Sequence, residues 1–153
     1  IAFLRSESSS VKEFNSIPYM IDYLTAVLPA THPLAKADNL PFEQLRGETF
    51  LLFPEHSFIN DLCIRKCRNA GFEPHIAYTG NRGATLIDLV RNGAGITLMM
   101  HHSARQENDS SLAFIPVTPG IYSYISLNYA KEKPLSPQAE SFVRYVKAHK
   151  RDF

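Results

Sequence analysis

Two rhythms of hydrophobic and polar positions run through this chain, and the change from one to the other is clearest over residues 78–100, YTGNRGATLIDLVRNGAGITLMM. Tyr78 closes a strand, residues 79–83 form a small polar loop, and Leu86, Leu89 and Val90 recur at the spacing of one helix face. Gly93-Ala94-Gly95 then turns the chain into the apolar run Ile96-Thr97-Leu98-Met99. A strand, loop, helix and strand in this order set backbone N–H groups and the positive end of a helix dipole at the tip of a sheet. A small anion is held there without a fully charged partner. A ligand pocket is therefore expected at this point.

The remaining elements follow from the same patterns. Residues 1–4 read as a short apolar strand ending at Arg5, and residues 6–10 as a polar loop. Residues 14–28 are rich in β-formers, alternate best at Tyr23, Thr25 and Val27, and are interrupted by Pro18, which predicts two strands or one bent strand. Residues 29–38 connect to a turn or two of helix opened by Pro41 and closed by Gly47. The unbroken apolar run TFLLF at 49–53 predicts a strand covered on both faces. Ser57 is placed to cap a helix reaching about Ala70, with Phe58, Ile59, Leu62, Cys63, Cys67 and Ala70 on its inner side and Asp61, Arg65 and Arg68 outside.

Gly71 ends that helix, and residues 74–78 form the next strand. After Met100 come a short helical turn, a polar loop at 106–111 expected to be mobile, a strand at 112–117 and a turn at Pro119-Gly120. Residues 122–129 alternate as YSYISLNY, long enough to pass from one lobe to another. Ser136-Pro137 starts a last helix with Ala139, Phe142, Val143 and Val146 on its buried face. The order β-α-β-α-β is that of a parallel α/β sheet with helices on both faces.

Composition narrows the function classes. At 153 residues and 44% hydrophobic, the chain can fill one ordinary domain or two small lobes. Its 16 Lys plus Arg against 15 Asp plus Glu give a formal charge of +1, with a mild basic concentration only at Lys147, Lys150 and Arg151. No basic stripe suited to nucleic acid is present, so any DNA-binding part is expected outside this chain. No apolar run approaches the roughly 18 residues of a membrane span, and no signal-peptide pattern opens the sequence, which points to the cytosol. The opening Ile1-Ala2-Phe3-Leu4, without Met or cap, suggests a fragment of a longer polypeptide. Cys63 and Cys67 share a helix face with near-parallel Cα–Cβ vectors, so they are expected as small buried apolar residues rather than a disulfide or a metal pair.

Five segments carry a family resemblance: Thr31-His32-Pro33-Leu34-Ala35; Leu45-Arg46-Gly47-Glu48-Thr49-Phe50; Cys67-Arg68-Asn69-Ala70-Gly71-Phe72-Glu73-Pro74; Leu89-Val90-Arg91-Asn92-Gly93-Ala94-Gly95-Ile96; and Pro134-Leu135-Ser136-Pro137. In this order and spacing they resemble the effector-binding domain of LysR-type transcriptional regulators. Met100 departs from the pattern, since the family usually has proline there. The resemblance implies an α/β, periplasmic-binding-protein-like two-lobe fold, one lobe complete and the other partial. Residues 1–25 would end the first lobe, 26–121 would form the second, and 122–153 would return to the first. It further implies a small-molecule effector in the cleft between lobes and an antiparallel dimer of these domains, giving a tetramer at full length. DNA would be contacted only through a missing N-terminal helix-turn-helix domain. No cofactor, metal or membrane contact is implied.

The candidate ligand-binding residues are Arg5, His56, Ser57, Phe58, Thr79, Gly80, Asn81 and Arg82. Arg5 follows a buried strand, where a guanidinium could grip an effector carboxylate in bidentate fashion or simply sit at the surface. Thr79, Gly80 and Asn81 offer a hydroxyl, an open backbone and an amide, and Asn81 or Thr79 would serve equally as helix caps. Arg82 reads as a loop charge or a ligand partner. His56, Ser57 and Phe58 form a second strand-to-helix turn aimed the same way, with Ser57 also a plain cap. Thr97 is expected to bond to backbone. His101-His102 makes a poor chelate because neighbouring residues point apart. No Gly-x-Ser-x-Gly elbow exists, so no catalytic residue is assigned. A transporter's solute-binding protein shares the two-lobe design and is the competing reading.

Overall fold

The computed structural model describes residues 1–105 and 109–149. Along the chain the elements are β1 (Ala2–Ser6), β2 (Phe14–Pro29), β3 (Leu40–Pro41), β4 (Thr49–Leu52), α1 (Phe58–Asn69), β5 (His75–Thr79), α2 (Gly83–Arg91), β6 (Thr97–Met100), α3 (His101–Ala104), β7 (Leu112–Thr118), β8 (Tyr122–Ala130) and α4 (Pro137–Ala148). Contacts divide the chain into two units, one of Ile1–Asp22 with Tyr122–Phe153 and the other of Tyr23–Ile121.

The second unit is built on one sheet. β5 lies parallel to β4, whose Phe50 bridges in parallel to Ile96 at the start of β6. β6 and β7 then flank β2, both antiparallel to it, and β3 runs parallel to β7. Every strand but β2 therefore points the same way. Side chains alternate across this sheet as a strand's two-residue repeat requires. Phe50, Leu52, Leu98, Met100, Leu24 and Ala26 meet Leu62, Cys63 and Cys67 of α1 on one face. Leu51, Met99 and Val27 meet Leu86, Ile87 and Val90 of α2 on the other. The apolar run at 49–53 is thus covered on both sides because each face has its own helix.

Gly95 marks a close crossing of backbones in this unit. A Cβ on it would lie 2.4 Å from the Thr49 carbonyl oxygen, which already accepts the Ile96 N–H at 2.8 Å. Only a residue without a side chain lets β6 close on β4 here.

In the first unit β1 pairs antiparallel with β8, and β8 neighbours β2. Val143 and Val146 of α4 pack there with Ile17 and Leu127. Several expectations change here. Pro18 does not break β2, which runs on as one strand of 16 residues. β2 neighbours β8, and its pairing with β6 and β7 begins only at Leu24, six residues past Pro18. β8 (Tyr122–Ala130) belongs to this unit, which the chain rejoins at Tyr122. Phe142, assigned to the buried face of α4, is 45% exposed and meets Phe3 edge-on at 6.4 Å.

Two further corrections concern polar groups. The Thr97 hydroxyl, expected to bond to backbone, has no hydrogen-bond partner among the described residues. Of the loop expected to be mobile, Gln106, Glu107 and Asn108 lie outside the described residues. Asp109 is tied to the Arg91 guanidinium at 2.6 Å and to the Ser111 hydroxyl at 2.7 Å. Among the described residues, no helix is long and apolar enough to cross a membrane.

Candidate functional site

Because β5, β4 and β6 are parallel, their carboxyl ends share one edge of the second unit's sheet. In an open α/β sheet that edge is where ligands gather, since each strand there gives way to the start of a helix. β4 leads through Phe53-Pro54-Glu55-His56 to Ser57 and α1, and β5 leads through Gly80 and Asn81 to Arg82 and α2. Leu52 stands opposite Thr79, and the Gly80 N–H donates to the Leu52 carbonyl at 3.0 Å. The two loops are therefore neighbours, and seven of the eight candidate residues fall on them.

Their roles differ once placed. The Ser57 hydroxyl caps α1 by accepting the Asn60 N–H at 3.3 Å, and His56 beside it takes a left-handed φ of 64°. Phe58 is half-buried against the α1-side core, so its ring is a packing group. Thr79, Asn81 and Arg82 are exposed. The cap of α2 is Arg82, and no side chain satisfies that helix's first N–H groups. Capping by Asn81 or Thr79 therefore does not occur, and the first turn of α2 keeps its donors and its positive end open. Gly80 cannot offer its own N–H, which β4 already holds. It makes room instead for the Tyr78 ring, whose Cε1 lies 2.7 Å from where a Cβ would stand. Tyr78 and Thr79, with Glu55, Ile76 and Ala77, line an open hollow of about 290 Å³.

Arg5 belongs to the first unit. Its guanidinium donates to the Ser123 hydroxyl at 2.6 Å and to the Asp22 carboxylate at 3.4 Å. Asp22 is 3% exposed, so this is an internal ion pair.

Three side chains outside the candidate ligand set help to shape the strand-tip edge. Asn60, 1% exposed, donates its amide to the Phe53 carbonyl at 2.8 Å and so fixes the loop after β4. The His101 ring, first after β6, stacks on Tyr23 with centroids 4.2 Å apart, and its Nδ1 lies 3.3 Å from the Thr25 hydroxyl. Tyr78 was read only as the end of a strand. The Asn60 signal, an amide three residues past a serine cap, was present in the sequence; the stack of Tyr23 on His101 joins residues 78 apart and had no local signal.

Cys63 and Cys67 are fully buried free thiols. Burial pushes the Cys63 thiol far above its ordinary value; burial, aided by the Glu73 carboxylate, raises Cys67 to about 12. Neither forms a thiolate at neutral pH. No cluster of three or more His, Cys, Asp or Glu suited to a metal occurs among the described residues.

Over residues 1–151 the chain matches the family model of the LysR substrate binding domain. It belongs to that family. GltC of Bacillus subtilis, a transcriptional dual regulator, is 30% identical over 122 residues, covering 79% of this chain and 41% of GltC. The chain thus spans less than half the length of this curated relative. Two solved LysR-like structures share the fold. One is the CcmR regulatory domain of Synechocystis PCC6803 in complex with 2-PG, with a TM-score of 0.85 and 17% identity over 98% of this chain and 74% of that one. The other is the effector binding domain of QuiR in complex with shikimate, with a TM-score of 0.74 and 19% identity over 93% of this chain and 69% of that one. The fold is accordingly the periplasmic-binding-protein-like two-lobe α/β fold of LysR effector-binding domains. The relatives are transcriptional regulators with ligand-binding domains rather than enzymes.

Proposed function

We propose that this LysR effector-binding domain holds a small anionic metabolite at the strand tips of its second unit, within a cytoplasmic regulator that dimerises through this domain and forms tetramers at full length. Occupancy alters DNA contact by a separate helix-turn-helix domain of the same polypeptide. The observation that carries the anionic reading is the uncapped first turn of α2, set between the exposed Thr79, Asn81 and Arg82 and beside the loop of His56 and Ser57. Open backbone donors, a helix dipole and one guanidinium together favour a carboxylate or phosphate. Arg5, held by Asp22, contributes through the first unit's structure in this reading. The solute-binding reading is not favoured, because the matched relatives are regulators.

A ligand acts on such a regulator only through its different affinity for two arrangements, and about 1.4 kcal/mol of difference shifts their ratio tenfold. Calorimetry of the chain against small carboxylates, phosphorylated metabolites and their neutral amides or esters tests the site. An anion should bind at least tenfold tighter than its neutral analogue, and Arg82→Gln with Asn81→Ala should remove that preference without changing the melting temperature. Equal binding of charged and neutral forms would sink the anionic reading.

A further inference from the structure

A second hollow, of about 200 Å³, lies in the second unit and shares no lining residue with the strand-tip loops after β4 and β5. Its floor is buried: Phe42 is 3% exposed and Ile121 6%, and both belong to the α1-side core. Pro119 adds an apolar wall. Around this floor stand one ammonium, one carboxylate and one carboxamide, from Lys66, Glu43 and Asn69. None of these three side chains has a hydrogen-bond or ion-pair partner among the described residues. Four carbonyls near the end of α1 are already satisfied, by Ala70 N–H on Lys66, Gly71 N–H on Arg68, Phe72 N–H on Cys67 and the Arg46 guanidinium on Ala70. The charged and amide side chains that line the hollow are those three.

We infer that this hollow is a second small-molecule site, and that it takes a free amino acid with an apolar side chain. Lys66 and Asn69 would receive the α-carboxylate, Glu43 the α-ammonium, and the Phe42 and Ile121 floor the side chain. The volume falls below the 300–1,000 Å³ of drug-sized sites and limits the guest to roughly ten non-hydrogen atoms. A simple anion would leave Glu43 repelling it, and a simple cation would meet Lys66; a zwitterion satisfies both. The occupant would also press on Ile121, whose carbonyl accepts the Leu24 N–H at 2.8 Å and so joins the last residue of this unit to β2.

The test is a titration of the 153-residue chain with L-leucine, followed by amide chemical shifts and calorimetry, with N-acetyl-leucine and leucinamide as controls. Saturable shifts at Asn69, Ala70, Gly120 and Ile121 are expected. N-acetyl-leucine, lacking the ammonium, and leucinamide, lacking the carboxylate, should each bind at least tenfold more weakly. Lys66→Gln and Glu43→Gln lie at the rim, so both should keep the parent melting temperature while weakening leucine at least tenfold. Absence of saturation at millimolar leucine, shifts confined to residues 79–82, or equal affinity in both variants would each overturn the assignment. An anion bound at the strand tips would be unaffected by either variant.

Discussion

Asp22 shows why an exposed-looking charge in a sequence can be internal. The carboxylate is almost fully buried in the first unit, and Arg5 reaches it across 17 positions of sequence. From the sequence alone Arg5 could serve an effector or the solvent; an internal partner was invisible because no periodicity links residues 5 and 22. Arg5→Ala should destabilise the chain by about 1–3 kcal/mol, the usual cost of removing a donor from a buried charged acceptor. Urea unfolding would show this, and effector affinity measured on the folded variant should change less than tenfold. A larger affinity loss with unchanged stability would return Arg5 to the ligand site. Ser57 was legible as a cap because its hydroxyl acts within three residues, whereas the open cap at Arg82 became visible only once the side chains of Thr79 and Asn81 were placed.

At the scale of elements, the repeat of 3.6 and the repeat of two placed nearly every strand and helix. α1 and α4 begin where a serine cap predicted a start, α2 begins at Gly83 without the expected Asn81 or Thr79 cap, and the buried sides of α1 and α2 are largely those read from spacing. The misses have one cause. Whether Pro18 interrupts a strand depends on whether its N–H side faces a neighbour, and whether Phe142 is covered depends on what lies over α4. Gly95 is the reverse case, a residue whose need is local and whose reason is tertiary. Gly95→Ala should push the Thr49 carbonyl away and open the β4 to β6 ladder, destabilising the chain by about 2–4 kcal/mol. Thermal melting would read this, and Gly47→Ala, where a Cβ meets nothing within 4 Å, is the control for left-handed backbone strain alone.

For the whole molecule, one clasp in the second unit contributes a dependence on pH. Asp109 is held down to about 2 by the Ser111 hydroxyl, then the Ser111 N–H and the Arg91 guanidinium. An unfolded aspartate titrates near 3.9. The folded value being lower, this clasp stabilises fully above about pH 4 and is lost as the pH falls toward 2. Asp109→Asn should therefore lower the urea midpoint at pH 7 and flatten its decline between pH 5 and 2. A parallel decline in both proteins would show that the clasp contributes nothing.

By itself the sequence determined the family, the α/β order of elements, the two helix faces and the pair of strand-to-helix loops, because each rests on contacts within a few residues or on a repeating pattern. Tertiary structure alone decided which groups stay open and which are engaged: the Gly80 N–H by Leu52, the Arg5 guanidinium by Asp22, and the His101 ring by its stack on Tyr23 and its contact with the Thr25 hydroxyl. Those pairings depend on strand order and register, and neither leaves a trace in the spacing of residues along a single segment.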